Sequence, residues 1–123
     1  MIFGIGTDIL EISRIKKSVN TKRIFIRVFS PEECELFKSR DWNIGTIAAN
    51  FCGKEAFFKS VGTGIVFSQL NKISILRNKN GKPYIVLKDE LLNQYKDIDF
   101  YISLSHTREN AIAFVTAEKR RVQ

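Results

Sequence analysis

The chain has no apolar run of 18 residues, and its opening, MIFGIG, has neither a basic start nor a long hydrophobic stretch. The first absence excludes a membrane-spanning helix and the second a secretory signal, so the expected setting is the cytoplasm. Cysteine is scarce: Cys34 and Cys52 are the only two, with no CxxC and no histidine cluster to suggest a zinc site. Both fall in stretches that read as helical, and buried or half-buried free thiols in a reducing compartment are expected. Histidine occurs once, at His106. There is no repeat, no low-complexity tract and no linker.

Acidic residues are also in short supply. Thirteen Asp and Glu stand against twenty Lys and Arg, a formal charge of +7. A field of that sign draws anions: nucleic acid, acidic membrane, phosphorylated small molecules or an acidic protein. Part of it is assigned to a solvated tail, where Lys119, Arg120 and Arg121 crowd together. Nucleic acid is disfavoured, because the basic residues are spread along the chain and no helix-turn-helix, KH or RNP-type pattern is present. Apolar material, by contrast, is ample. With 44% hydrophobic residues and ten Phe, residues 1–123 suffice for one packed domain without disulfide or metal staples.

Residues 2–9 alternate as a strand, with Phe3, Ile5, Thr7 and Ile9 on one face and Ile2, Gly4, Gly6 and Asp8 on the other. The two glycines leave room on the Asp8 face for a helix or a ligand to approach the backbone. Residues 12–19 and 22–28 read as helices broken near Asn20 and Thr21, with basic exposed positions at Arg14, Lys16, Lys17, Lys22, Arg23 and Arg27. Ser30-Pro31-Glu32-Glu33 is a helix start: Ser30 caps, Pro31 suits the first turn, and Glu33 closes a capping box. That helix is expected to end near Ser39. A longer one, over residues 43–60, turns Ile44, Ile47, Ala48, Phe51, Ala56 and Phe58 to the core, and Gly62 and Gly64 stop it. Strands at 72–77 and 83–88 flank the hairpin signal Asn80-Gly81. A short helix over 89–95 and strands at 98–105 and 111–117, joined by a turn from His106 to Asn110, complete a single α+β domain.

Three polar residues stand where pattern alone would not put them. Asp8 ends an apolar strand, Glu55 sits inside the apolar helix, and His106 follows an apolar strand on the face of Ile102 and Leu104. Each has an ordinary structural explanation: a turn former, a solvated glutamate with a lysine partner, a hydrogen-bonded turn histidine. Taken together they suit a hard cation, which is held by one or two carboxylates plus phosphate oxygens and water. Lys59, one helical turn from Glu55, faces the same ligand and can neutralise phosphate. The Gly62-Thr63-Gly64 turn offers backbone N–H groups to phosphate, although its pattern is neither GxxxxGK[ST] nor GxGxxG.

Three segments carry a resemblance. Met1 to Ile15 (MIFGIGTDILEISRI), Asn50 to Gly64 (NFCGKEAFFKSVGTG) and Ile102 to Val115 (ISLSHTRENAIAFV) resemble, in the same order, the motifs of bacterial holo-acyl-carrier-protein synthases, and Gly81-Lys82-Pro83 matches the family's G-x-P step. The resemblance implies a 4′-phosphopantetheinyl transferase-like fold, a long helix on an antiparallel sheet, assembled as a homotrimer with sites between protomers. It implies transfer of 4′-phosphopantetheine from coenzyme A to a serine of an acidic apo-acyl carrier protein, in fatty acid biosynthesis, leaving adenosine 3′,5′-bisphosphate. By position, Asp8 and Glu55 would hold Mg²⁺ with the pyrophosphate, and Lys59 would contact phosphate. His106 would lie near the coenzyme A phosphate and the incoming serine, with Thr107 at the nucleotide end. Gly62 and Gly64, with Pro83 of a neighbouring protomer, would line the cofactor cleft. Arg14, with Lys17, Lys22 and Arg23, would meet the carrier.

One departure stands out: the family has Arg where this chain has Asn50, and that arginine is a candidate for the 3′-phosphate of coenzyme A. Lys54, or a basic residue of another protomer, is expected to replace it. The serine proton is expected to pass to His106 or to a water on the cation. Without the resemblance, a metal-dependent phosphohydrolase using Asp8 and Glu55 is the alternative.

Overall fold

The computed structural model describes residues 1–18 and 22–121. The chain runs β1 (Ile2–Glu11), α1 (Ile12–Ser18), α2 (Lys22–Val28), α3 (Pro31–Ser39), α4 (Ile44–Val61), a 3-10 turn over Phe67–Lys72, β2 (Ile73–Arg77), β3 (Pro83–Leu87), α5 (Asp89–Gln94), β4 (Ile98–His106) and β5 (Asn110–Lys119). The elements expected from the sequence are present with slightly different ends; only the 3-10 turn was not anticipated. The break foreseen near Asn20 and Thr21 lies outside the described residues. Among those residues no helix is long and apolar enough to cross a membrane.

The strands form two antiparallel sheets, β1-β5-β4 and the hairpin β2-β3. Gly81 closes the hairpin at φ 86°, in the left-handed region that favours glycine. α4 lies across the inner face of the larger sheet and is buried nearly all round, with Ala48, Cys52, Ala56, Phe57 and Phe58 at 0–1% exposure. A helix apolar on every side belongs in the middle of a domain, and this one does. Ile44 and Phe51, expected in the core, are half-buried at its margin. The room left by the β1 glycines is taken by α4: a Cβ on Gly6 would lie 2.0 Å from the Ala56 carbonyl oxygen, and one on Gly4 1.9 Å from that of Ser60.

Burial of charge was not foreseen. Ser30 and Glu33 do form the capping box, but the Glu33 side chain continues inward and is fully buried. Its Oε1 lies 2.5 Å from Lys54 Nζ, and neither side chain is exposed at all. The same ammonium donates to the carbonyls of Val28 (2.7 Å), Leu70 (2.8 Å) and Ile73 (2.7 Å). Asn50 donates to Glu33 Oε2 and to the Ile75 carbonyl, both at 2.8 Å. Burial pushes Glu33 up and Lys54 down in pKa, while their mutual attraction opposes both shifts. Three carbonyls need three N–H donors, so the lysine is an ammonium. Lys54 therefore ties α4 to the end of α2, the 3-10 turn and the start of β2, and the expectation that it contacts coenzyme A is overturned.

The sheet face away from α4 is apolar and exposed: Phe3, Ile5, Ile9, Tyr101, Ile112 and Phe114 are each 44–67% accessible. The basic C-terminal residues are not simply a solvated tail. Lys119 belongs to β5, and Arg120 donates to Asp99 Oδ1 at 2.8 Å and to the Lys96 carbonyl at 2.9 Å.

Candidate active site

Asp8 lies on the inner face of β1, where the strand meets the middle of α4. Its side chain is only 10% exposed. Lys59 Nζ donates to Asp8 Oδ1 at 3.1 Å and to the Thr7 carbonyl at 3.0 Å. The Cys52 thiol donates to the Asp8 carbonyl at 3.1 Å, with Asp8 Oδ2 at 3.4 Å. Burial and the adjacent Asp8 carboxylate push this thiol well above its ordinary pKa, which makes it a hydrogen-bond donor rather than a nucleophile.

Glu55 is one turn before Lys59 and meets Asp8. Its pKa is raised to about 7, first by burial, then by the Asp8 charge and a hydrogen bond with Asp8, with Lys59 partly offsetting these. Two carboxylates forced together in a half-buried site disfavour double ionisation unless a cation joins them. The two residues line one cleft of about 620 Å³, with Leu10, Arg14, Ile15, Ile24, Val28, Phe51 and Phe67. One wall is thus acidic, the other apolar, and Arg14 stands on the rim. Lys17, Lys22 and Arg23 are exposed on α1 and α2.

The Gly62–Gly64 turn behaves differently from expectation. Gly62, at φ 78°, caps α4, donating its N–H to the Lys59 and Phe58 carbonyls, and the Thr63 N–H goes to Phe58 as well. Those donors are committed, and the negative end of the helix dipole points at the turn. Backbone binding of phosphate by Gly62 is therefore overturned, and the turn offers at most the Gly64 amide.

His106 is not beside the carboxylates of its own chain. Its ring packs against Gly45, where an added Cβ would lie 2.6 Å from Cε1. Gly45 and Glu55 are ten residues apart on one helix, about 15 Å of rise. Thr107 is exposed in the β4–β5 turn, and its hydroxyl accepts from the N–H groups of Glu109 and Asn110. Pro83 starts β3 opposite Arg77 and lines a shallow cleft with Tyr84 and Tyr101. The expected residues thus divide into an acidic group (Asp8, Glu55, Lys59) and a second group (His106, Thr107, Pro83) on other parts of the surface.

Among the described residues no group of three His, Cys, Asp or Glu could hold a metal alone. Two acidic oxygen donors beside a lysine do fit a hard cation whose remaining ligands are phosphate and water. Fold and site together define a small α+β protein with a carboxylate pair and a lysine gathered at one cleft between a strand and a helix.

The comparisons give that class its family. A family model described as the 4′-phosphopantetheinyl transferase superfamily matches residues 4–115, and the chain belongs to that family. It is 43% identical to the holo-[acyl-carrier-protein] synthase of Clostridium beijerinckii over 96% of this chain and 98% of that one. The crystal structure of holo-[acyl-carrier-protein] synthase from Neisseria meningitidis superposes with a TM-score of 0.82 at 34% identity, covering 97% of this chain and all of the other. The enzyme from Bacillus anthracis, solved in complex with CoA (3′,5′-ADP), gives 0.81 at 30% identity, covering 97% of this chain and 98% of that one.

Proposed function

We propose that this chain transfers 4′-phosphopantetheine from coenzyme A to a serine of an apo-acyl carrier protein, as a cytoplasmic step in fatty acid biosynthesis. The observation that carries this is the meeting of Asp8 and Glu55, one from a strand and one from a helix, in a single cleft beside Lys59. The similar enzymes bear that name, and one was solved with CoA (3′,5′-ADP). Free thiols at Cys34 and Cys52 agree with a reducing compartment.

In this reading Asp8 and Glu55 hold Mg²⁺, which when bound neutralises charge on the diphosphate. Lys59 shifts from Asp8 to a phosphate oxygen and steadies the charge that grows on the leaving group. The serine oxygen bonds to the phosphorus next to pantetheine, the bond from that phosphorus to the bridging oxygen breaks, and adenosine 3′,5′-bisphosphate leaves. The serine proton must go to a base. His106 of the same chain is too distant, so a histidine acting here belongs to another copy.

That separation supports the homotrimer with sites between protomers, in which one copy supplies Asp8, Glu55, Lys59 and Gly64 and its neighbour His106, Thr107 and Pro83. The exposed apolar sheet face is a surface suited to burial between copies. Arg14, Lys17, Lys22 and Arg23 then greet an acidic carrier at the mouth of the cleft.

Incubation with apo carrier protein, coenzyme A and Mg²⁺, read by intact mass, tests the proposal. A mass gain equal to phosphopantetheine, lost in Asp8→Ala and Glu55→Ala, is expected. Release of phosphate from coenzyme A with no carrier modified would replace it with a hydrolase.

A further inference from the structure

The Asp8 carboxylate is held on two sides by groups of very different freedom. On the outer side Lys59 donates to Oδ1 at 3.1 Å, from a side chain that is 53% exposed. On the inner side lies the Cys52 thiol, fully buried, with Sγ 3.4 Å from Oδ2 and 3.1 Å from the carbonyl oxygen of the same residue. A third oxygen, the Ala111 carbonyl of β5, is 3.7 Å away. A thiol has one proton to give, and its two nearest acceptors both belong to Asp8. Among the described residues that line the cleft, Asp8 and Glu55 appear and Cys52 does not. The sulfur stands behind the carboxylate, on the side turned away from any ligand.

Cys52, Glu55 and Lys59 follow one another at helical spacing on α4, so a thiol, a carboxylate and an ammonium are presented to Asp8 in one row. The lysine ends a flexible four-carbon stem and can swing to a phosphate. The thiol, on a one-carbon stem inside the core, cannot follow. Nor can the helix carry it away. Two residues earlier, about 200° round the helix, Asn50 donates to Glu33 Oε2 and the Ile75 carbonyl and accepts from Arg77 Nη2, each at 2.8 Å. On the near side β1 is already in backbone contact with α4 at Gly6. Cys52 is therefore a fixed donor behind a carboxylate whose other partner is movable.

We propose that Cys52 is a positioning residue that holds Asp8 Oδ2 back, so that Asp8 offers a divalent cation one oxygen, Oδ1, and the cleft favours Mg²⁺ and Mn²⁺ over Ca²⁺. This rests on the reading that Asp8 and Glu55 hold a divalent cation. Oδ1 is the oxygen that Lys59 releases when it turns to phosphate. Bringing Oδ2 forward as well would rotate the carboxylate off the thiol and take away its buried side-chain acceptor. The two classes of cation feel this differently. Mg²⁺ keeps a small octahedral shell made largely of water and phosphate, and one oxygen from each carboxylate suffices. Ca²⁺ takes about six to eight oxygens and gains from carboxylates that give two. A donor fixed behind Asp8 denies Ca²⁺ a ligand and denies Mg²⁺ none. The preference is set by a side chain that does not touch the cation.

Mn²⁺ on the protein, read by its enhancement of water-proton relaxation with coenzyme A present and no carrier, supplies the test. Mg²⁺ or Ca²⁺ displaces it from wild type, Cys52→Ala, Cys52→Val and Cys52→Ser. In Cys52→Ala and Cys52→Val, Ca²⁺ should gain about three- to tenfold on Mg²⁺ as a competitor, the scale of one hydrogen bond. Cys52→Ser keeps a donor and should keep the wild-type ratio. A merely structural role would weaken both cations alike, so an equal loss, or none, overturns the proposal, as does a wild type that holds no Mn²⁺. The infrared S–H stretch gives a second reading if the Cys52 variants do not fold. Cys34→Ser leaves one thiol in the chain, and desulfo-coenzyme A brings no other. The band should lie lower than in the same background carrying Asp8→Asn, and should stay there when Mg²⁺ is added. A band indifferent to Asp8→Asn, or one that rises with Mg²⁺, refutes the proposal. Carrier modification, followed by intact mass, is judged separately. A modified carrier with an unchanged cation ratio in Cys52→Ala keeps the transferase and removes the thiol's role. An unmodified carrier with a Cys52-dependent ratio does the reverse.

Discussion

Replacing Lys54 with Met keeps the side-chain length and removes the ammonium from the Glu33 network. Three carbonyls lose their donor, and Glu33 keeps only the Ser30 N–H and hydroxyl and the Asn50 amide N–H. Removing one partner of a buried ion pair costs about 3–5 kcal/mol, a large share of the roughly 5–15 kcal/mol that holds a domain folded. The expected effect is a fall of about 10–20 °C in Tm and about 1–3 M in the urea midpoint. The sign of its pH dependence follows from Glu33, whose pKa burial raises and Lys54 pulls back. Without Lys54 it rises further, so folding of the variant takes up a proton. Below the ordinary carboxylate value of 4.5 both states are protonated and the charge penalty vanishes. It grows as pH climbs from there towards the raised folded value. Urea unfolding of wild type, Lys54→Met, Glu33→Gln and the double variant, at about pH 5 and pH 8, measures this. The Lys54→Met deficit should be larger at the higher pH, and the double variant should be more stable than the summed single losses predict. Equal midpoints for wild type and Lys54→Met, or a deficit indifferent to pH, would refute the reasoning.

Two glycine variants separate clash from backbone strain. Gly6→Ala drives a Cβ to 2.0 Å from the Ala56 carbonyl oxygen, so about 3 kcal/mol should be lost in urea unfolding. Gly64→Ala meets nothing within 4 Å but sits at φ 68°, so about 1–2 kcal/mol is expected from conformation alone; a reversed order would contradict the packing. Raising NaCl from about 0.05 to 0.5 M should lower kcat/KM for the carrier several-fold while the KM for coenzyme A changes less, and a salt-independent carrier KM removes the steering argument. Ile5→Lys with Phe114→Lys on the exposed sheet face should yield folded monomers in sedimentation, without transferase activity; a trimer that survives both charges would place the interface elsewhere.

Much of this architecture is legible in the amino-acid sequence. Alternation in β1, the Ser30–Glu33 capping box and the Asn80-Gly81 signal are local, and local rules suffice for them. Gly4 and Gly6 pointed to a close approach on the Asp8 face, and α4 makes it. Sequence reasoning failed where the partner is distant in the chain. Lys54 reads as a replacement phosphate ligand for the family's arginine, yet it lies on the stripe of Ile47, Phe51 and Phe58, which marks the core side of α4. That spacing was the available signal, but the compensating Glu33 is 21 residues away and was already assigned to a cap. Asn50 and Arg77 escaped for the same reason, since nothing near either residue announces a pairing between α4 and β2. The division between the Asp8 group and the His106 group could not be read at all, because strand order and helix crossing decide it.

The placement of the carboxylates depends on the absence of two side chains. Asp8 and Glu55 can share a cation only if β1 and α4 approach to backbone contact, and Gly4 and Gly6 permit this by leaving the strand bare toward the helix. A larger residue at either position would lift the helix and carry Glu55, Lys59 and Cys52 away from Asp8 together. On the opposite side, Asn50 and Lys54 fix the helix against β2 through Glu33, so α4 is held from two directions and has little freedom to recover the spacing by shifting. Gly6→Ala should therefore weaken metal-dependent activity in molecules that are still folded, well below its melting temperature. A folded Gly6→Ala protein with normal kcat and normal Mg²⁺ dependence would show that the carboxylates meet without that close approach.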